Sequence, residues 1–261
     1  MIDHHLHRGL LLAALSGLLW PLAGVAEDND SKWPTPVQAL EKQGLTVHER
    51  FEAPAGLTGY AASVQGREVA VYVTEDGQHA IVGTLLDAEG NDLSAEPLAK
   101  LVGGPQDAAL WQQLEESTWI ADGDDDAERV LYTFTDPNCP YCHKFFEQTR
   151  PWVEAGEVQL RHIMVGILKK DSPQKAVALL AADDPAQALR AHQQGDEIEL
   201  LDELPKKEED ELFANNQLMR SLGLSATPST FYHTGENDRL SITQGAPGEE
   251  ELVKMMGTPR P

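Results

Sequence analysis

The sequence predicts an α+β protein of two domains, and three observations carry the prediction. Between residues 35 and 87 one helical pattern is followed by strand-like runs split by turn residues. From residue 129 onward, strand-like and helical runs alternate. Between the two, a helical pattern follows Gly103, Gly104 and Pro105 and ends in an Asp/Gly run, as a connecting helix would.

At the N-terminus, residues 1–8 carry one arginine and three histidines, and residues 9–26 (GLLLAALSGLLWPLAGVA) carry no charge. Gly24 and Ala26 put small residues at minus three and minus one of a cut before Glu27, so residues 1–26 read as a cleaved secretory signal peptide. An uncleaved anchor is the alternative, because the uncharged run is near the lower limit for a span; Pro21 and Gly24 near its end favour processing. The leader holds one acid and one base, so its removal leaves 42 acids against 19 Lys and Arg and a formal charge of −23. Such a surface repels nucleic acid and anionic membranes, and no nucleic-acid partner is expected.

The first domain is placed at residues 27–100. A short helix is expected from Thr35 to Gln43, ending at Gly44, followed by strands at 45–51, 59–64, 68–74 and 79–87 with turn signals such as EDGQ and AEGND between them. A module of roughly 70 residues is at a size where cores are marginal, which makes a homodimer a reasonable expectation. A linker helix is assigned to residues 101–121, where Leu110, Trp111, Leu114, Thr118 and Trp119 recur near helical spacing.

The second domain is placed at 122–261. A buried-type strand (129–135), a helix (139–156, with Pro151 expected to kink it) and a strand (158–167) make a βαβ unit with parallel strands. A helical insertion over about 172–223 follows: one helix capped by Ser172 with Pro173 behind it, a second opened by the same device at DDP, and a third ended by Gly223. STFYHT and RLSITQ form a hairpin around GEND, and GEEELVKMMG is a last helix.

Both cysteines lie in DPNCPYCHKFF, residues 136–146. Cys-x-x-Cys-His is the attachment signature of c-type haem, whereas Cys-x-x-Cys alone is a thioredoxin-like redox pair. Haem would require His143 as an axial ligand, but the pair lies between two strand-like runs, a setting that favours the dithiol. No second cysteine pair or close histidine pair supplies further ligands, so neither a metal nor a cofactor is expected. A bond across four residues would remove little unfolded-state entropy, about 2 kcal/mol, so a purely structural disulfide is the weaker alternative.

For the dithiol, position supplies the chemistry. At a helix N-terminus, unpaired N–H groups and the macrodipole stabilise an anion, so Cys139 is the expected attacking thiolate. Pro140 occupies the first turn, where its missing N–H costs nothing. Cys142 can reach Cys139 but is less accessible, as a resolving thiol must be. His143 is an exposed helix residue that adds positive charge beside the thiolate when protonated. Thr227 and Pro228, just before a strand, match the cis-proline that faces the cysteines in thioredoxin folds.

The segments EKQGLTV, FEAPAGLTGY, EDGQHAIVGTLLDAEGNDLS, LWQQLEESTWIADG, FTDPNCPYCHKFFEQTRPWVEAGEVQLRHIMVGI and ATPSTFY resemble the periplasmic disulfide isomerases of the DsbC/DsbG type, across nearly all of the chain after the leader. Pro140 and Tyr141 between the cysteines, and no second pair, are similar to the DsbG branch; His143 departs from the lysine expected there. The resemblance implies a cystatin-like N-terminal dimerisation domain, a linker helix and a thioredoxin fold with a helical insertion. It implies Cys139 as nucleophile, Cys142 as resolving thiol, and Pro140, Tyr141, Thr227 and Pro228 facing substrate. It further implies a periplasmic isomerase or reductase of exported cysteine-containing proteins, kept reduced by a DsbD-type membrane reductant. Reduction of sulfenylated single cysteines, an oxidase role and a chaperone-like client-binding dimer are the alternatives.

Overall fold

The computed structural model describes residues 32–235 and 238–261, so the expected leader lies outside the described residues. Helix α1 (Thr35–Glu41) begins after Pro34 and ends before Gly44, whose φ of 96° lets the chain reverse. Strands β1 (Thr46–Glu52), β2 (Thr58–Val64), β3 (Arg67–Val73) and β4 (Ala80–Val82) form an antiparallel meander in that order. Val37 of α1 closes this sheet over Tyr60, Ala62, Val71 and Val73.

The strand expected over 79–87 is cut to three residues. The Asp87 carboxylate accepts from the N–H of Glu89 (3.0 Å) and of Asn91 (2.7 Å), and Leu93 N–H bonds to Leu85 O at 2.8 Å, so residues 85–93 close on themselves instead of extending along β3. Ile81, Val82 and Leu86 are left exposed at this sheet edge.

The linker helix expected over 101–121 is displaced. Helix begins as α2 (Ala95–Leu98), passes through a π-helical turn (Ala99–Gly103) and continues as α3 (Gly104–Glu115). Gly104 and Pro105 therefore lie inside the helical run, where the wide turn and the start of α3 leave Pro105 with no amide bond to forfeit. Trp119, expected on the helix, opens strand β5 (Trp119–Asp122) instead: Ile120 and Asp122 are buried and their neighbours are not, a two-residue period that a helical reading overlooked.

The second sheet has the order β5-β7-β6-β8-β9. Strands β6 (Arg129–Thr135) and β7 (Val158–Met164) are parallel, joined by α4 (Pro140–Glu154); β5 on β7, β8 (Ser229–Thr234) on β6 and β9 (Arg239–Gln244) on β8 are antiparallel. Leu131 and Leu160 pack with Phe145 and Trp152 of α4 and Met255 of α8 (Glu249–Met256) on one face. Tyr132, Phe134 and Ile163 pack with Leu114 of α3 and Met219 of α7 (Lys206–Ser221) on the other. The insertion consists of α5 (Ser172–Leu180), α6 (Pro185–Gln193) and α7. Ser172 is not a cap: Asp171 holds that position without a side-chain bond, and the Ser172 hydroxyl is engaged elsewhere. Asp184 does cap α6, accepting from Gln187 N–H at 2.9 Å.

Candidate active site

Strand β6 ends at Thr135, and four residues later Cys139 caps α4 in an extended conformation, φ −87° and ψ 111°. Its Sγ accepts from Cys142 N–H at 3.1 Å, so the sulfur fills the place of a capping oxygen. Pro140 follows at the first helical position and withdraws no bond. As a thiol, Cys139 donates to the Thr227 carbonyl at 3.2 Å across the cis peptide bond between Thr227 and Pro228. Cys139 and Cys142 are free thiols, only 5 % and 3 % exposed.

The two sulfurs are electrostatically unlike. The Cys142 thiol, and then the Thr227 hydroxyl and the Cys142 and Tyr141 amides, lower the Cys139 pKa to about 6 from an ordinary 9.0 despite burial. Thr227 Oγ1 is itself buried and has no hydrogen-bond partner. Burial, reinforced by the neighbouring Cys139 sulfur, pushes the Cys142 thiol well up. One turn of helix thus separates a thiol poised to ionise from one held protonated.

The structure brings Cys139, Cys142, Thr227 and Pro228 together. Tyr141 is 61 % exposed, and Pro140 is also exposed, so both border the site from outside. His143 turns toward the insertion: its Nδ1 is 3.3 Å from Gln193 Oε1 and its Nε2 is 3.5 Å from Glu147 Oε1. Both sulfurs are buried, and Cys139 is engaged by the Cys142 amide and the Thr227 carbonyl, an arrangement that suits a dithiol. Among the described residues, no group of three or more His, Cys, Asp or Glu side chains is arranged to hold a metal ion.

Sequence reasoning missed the groups that hold the loop before Cys139. The Asp136 carboxylate is 1 % exposed and accepts four hydrogen bonds, from Asn138 N–H, Ser172 Oγ, Ile167 N–H and Leu168 N–H. Lys175 donates to Asn138 Oδ1 at 2.8 Å, and His192 Nε2 lies 2.7 Å from the Pro137 carbonyl. A cavity of about 590 Å³ opens beside Cys139, with His143, Lys175, His192 and Asp196 in its wall. The only signals were the Asp-Pro turn and the Ser-Pro pair, each of which has an ordinary local meaning.

A Cys-x-x-Cys pair opening a helix opposite a cis-proline, on a sheet with helices on both faces, defines the class of thioredoxin-like dithiol proteins. Residues 121–258 match the model of the thioredoxin-like domain, and residues 24–95 match that of the disulfide bond isomerase protein N-terminal domain. The chain is 46 % identical over 255 residues to thiol:disulfide interchange protein DsbG of Pseudomonas aeruginosa, covering 97 % of this chain and 98 % of the relative. It is 39 % identical over 257 residues to the DsbG of Escherichia coli K12, covering 97 % and 99 %. Among solved structures, it is similar to the catalytic domain of Proteus mirabilis ScsC, with a TM-score of 0.49 and 23 % identity over 57 % of this chain and 94 % of that one. The chain belongs to the DsbC/DsbG family of thiol:disulfide interchange proteins.

Proposed function

We propose that the protein is a periplasmic thiol-disulfide oxidoreductase that isomerises or reduces disulfides of exported proteins, with Cys139 as nucleophile and Cys142 as resolving thiol. The observation that carries this reading is the asymmetry of the pair: one sulfur at a helix N-terminus with its pKa lowered to about 6, the other buried and pushed up. The Cys139 thiolate attacks one sulfur of a client disulfide, forming a mixed disulfide and releasing the other client sulfur as a thiolate. If a client thiolate, either that one after exchange within the client or another freed by it, attacks the client sulfur held by Cys139, a new client disulfide forms, Cys139 leaves as the thiolate, and no net electrons are transferred.

If instead Cys142 attacks Cys139 Sγ, the client leaves reduced and the pair becomes a disulfide, two electrons having passed to the client. Burial and the Cys139 charge hold Cys142 protonated. Mixed-disulfide formation removes that charge, so resolution becomes easier once a client is attached. The oxidised pair needs two electrons, for which a membrane reductant of the DsbD type is the expected source. A client sulfenic acid enters by the same step, its oxygen leaving as water.

Thr227 and Pro228 lie over Cys139 and, with Pro140 and Tyr141, face the client. The N-terminal unit over 27–100 serves as a homodimerisation domain, consistent with a three-residue edge strand that leaves Ile81 and Val82 exposed. Export to the periplasm is assigned to a leader over residues 1–26, whose uncharged run ends in small residues before Glu27. The test supplies reduced protein with a client holding non-native disulfides and, separately, with a client carrying one sulfenylated cysteine. Recovery of the native client without accumulation of the oxidised pair identifies isomerisation, stoichiometric oxidation of the pair identifies reduction, and inertness toward both refutes the proposal.

A further inference from the structure

We propose that Asp136 is the positioning residue for Cys139, and that through Ser172 it makes the geometry of the nucleophile depend on the helical insertion. The inference deepens the oxidoreductase reading and rests on it. Asp136 directly follows β6, and its two carboxylate oxygens face four donors and no acceptor. Oδ1 receives Asn138 N–H at 2.8 Å and Ser172 Oγ at 2.9 Å, and Oδ2 receives Ile167 N–H at 2.7 Å and Leu168 N–H at 2.9 Å. The Asp136 carbonyl also accepts Cys139 N–H at 3.0 Å, so one residue holds the cap from its backbone and the preceding loop from its side chain.

Each donor comes from a segment that must stay put. Ile167 and Leu168 follow β7, and Ser172 begins the insertion. Ser172 Oγ itself accepts from Lys169 N–H and Asn138 Nδ2, both at 3.0 Å, which binds the segment from 167 to 172 to the residue directly before Cys139. The charged or titratable groups that bond to this loop are Asp171, paired with Lys175 at 3.0 Å, and His192 on the Pro137 carbonyl, while His143, Asp196 and Glu197 line the cavity beside it. Asp171 stands at the N-cap of the first helix of the insertion, Lys175 and His192 lie within the insertion, and together they hold residues 137 and 138. Cys139 can meet Cys142 N–H and the Thr227 carbonyl together only if its backbone is held where this network holds it.

Replacing Asp136 by Asn exchanges an acceptor oxygen for an NH2 group. Rotation of the Ser172 hydroxyl relieves one clash at most, so at least one buried backbone N–H then faces a donor. The experiment measures the pH dependence of iodoacetamide alkylation at Cys139 in the reduced full-length protein and in Asp136→Asn and Ser172→Ala, with thermal unfolding alongside. Asp136→Asn is expected to raise the Cys139 midpoint by about one unit, a tenfold change in proton affinity, and Ser172→Ala to raise it by less. A merely structural role lowers Tm but leaves the midpoint of the folded protein in place, and that result for a folded Asp136→Asn overturns the proposal. Should Asp136→Asn not fold, Ser172→Ala decides alone: a raised midpoint supports the proposal and an unchanged one overturns it. A wild-type protein with no low midpoint would refute the oxidoreductase reading itself.

Discussion

Lowering the pH through 6 should change the redox behaviour of the pair in a way that ordinary thiols do not show. Above about pH 6 reduced Cys139 is a thiolate, while Cys142 stays protonated. Formation of the disulfide then releases one proton per two electrons, and below that pH it releases two. A tenfold change in equilibrium constant is about 29.6 mV for this two-electron couple, so the potential should fall by about 30 mV per pH unit above the break and about 59 mV per unit below it. The sign follows from the direction of the shift. A thiol whose pKa is depressed from 9.0 to about 6 stabilises the reduced protein fully above pH 9, and that stabilisation is lost as pH falls through 6. At pH 7 only the unit between 6 and 7 is realised, about 1.4 kcal/mol, which makes the pair about 30 mV more oxidising than two ordinary thiols. Equilibration with glutathione buffers from pH 5 to 8, followed by acid quench and alkylation, reads the potential directly. A single slope of about 59 mV per unit through pH 8 would refute the reasoning.

Other perturbations follow from packing and charge. Asp122, 1 % exposed, receives Arg150 through two guanidinium nitrogens and lies 3.7 Å from His162. The His162 and Arg150 partners hold its carboxyl at about 2 against a strong opposing effect of burial. Its contribution is therefore complete above pH 3.8 and lost as pH falls through 2; Asp122→Asn, by leaving Arg150 uncompensated, should cost about 3–5 kcal/mol in urea unfolding at pH 7. Gly166→Ala would put a Cβ 2.7 Å from Pro173 Cα, a backbone atom, and the shift should pull the Ile167 and Leu168 amides from Asp136. A loss of about 1–3 kcal/mol with a raised Cys139 alkylation midpoint is expected, and an unchanged midpoint would count against the coupling. Arg239 on β9 bridges Asp107 on α3 at 2.5 Å and Glu68 on β3 at 3.0 Å, but its side chain is one-third exposed. Arg239→Ala should cost at most about 1 kcal/mol, and a loss several times larger would show that the bridge carries the contact between the two sheets.

How legible the chain was depended on whether a feature was local. The strand-loop-helix at 129–154, the caps at Asp184 and Gly223, and the proline before β8 could be read because turn chemistry and periodicity act within a few residues. The segment from Leu110 to Trp119 misled because its apolar spacing suits a helix through Leu114 and a strand from Trp119, and only pairing with β7 decides between them. The run at 79–87 looked like one strand because its apolar residues continue to Leu86, and the turn signal in AEGND does not tell where along the run pairing with β3 stops. In the site, the two cysteines and Thr227 with Pro228 were visible as motifs. Asp136 and Ser172 were not, because their partnership spans 36 positions and joins two segments that each look complete alone.

The most direct test of the central claim, that Cys139 attacks and Cys142 resolves, is to mix each single alanine variant with a disulfide-bonded client and look for a covalent complex. Cys142→Ala should accumulate a mixed disulfide through Cys139, and Cys139→Ala should form none. A stable complex through Cys142, or equal trapping by both variants, would contradict the account.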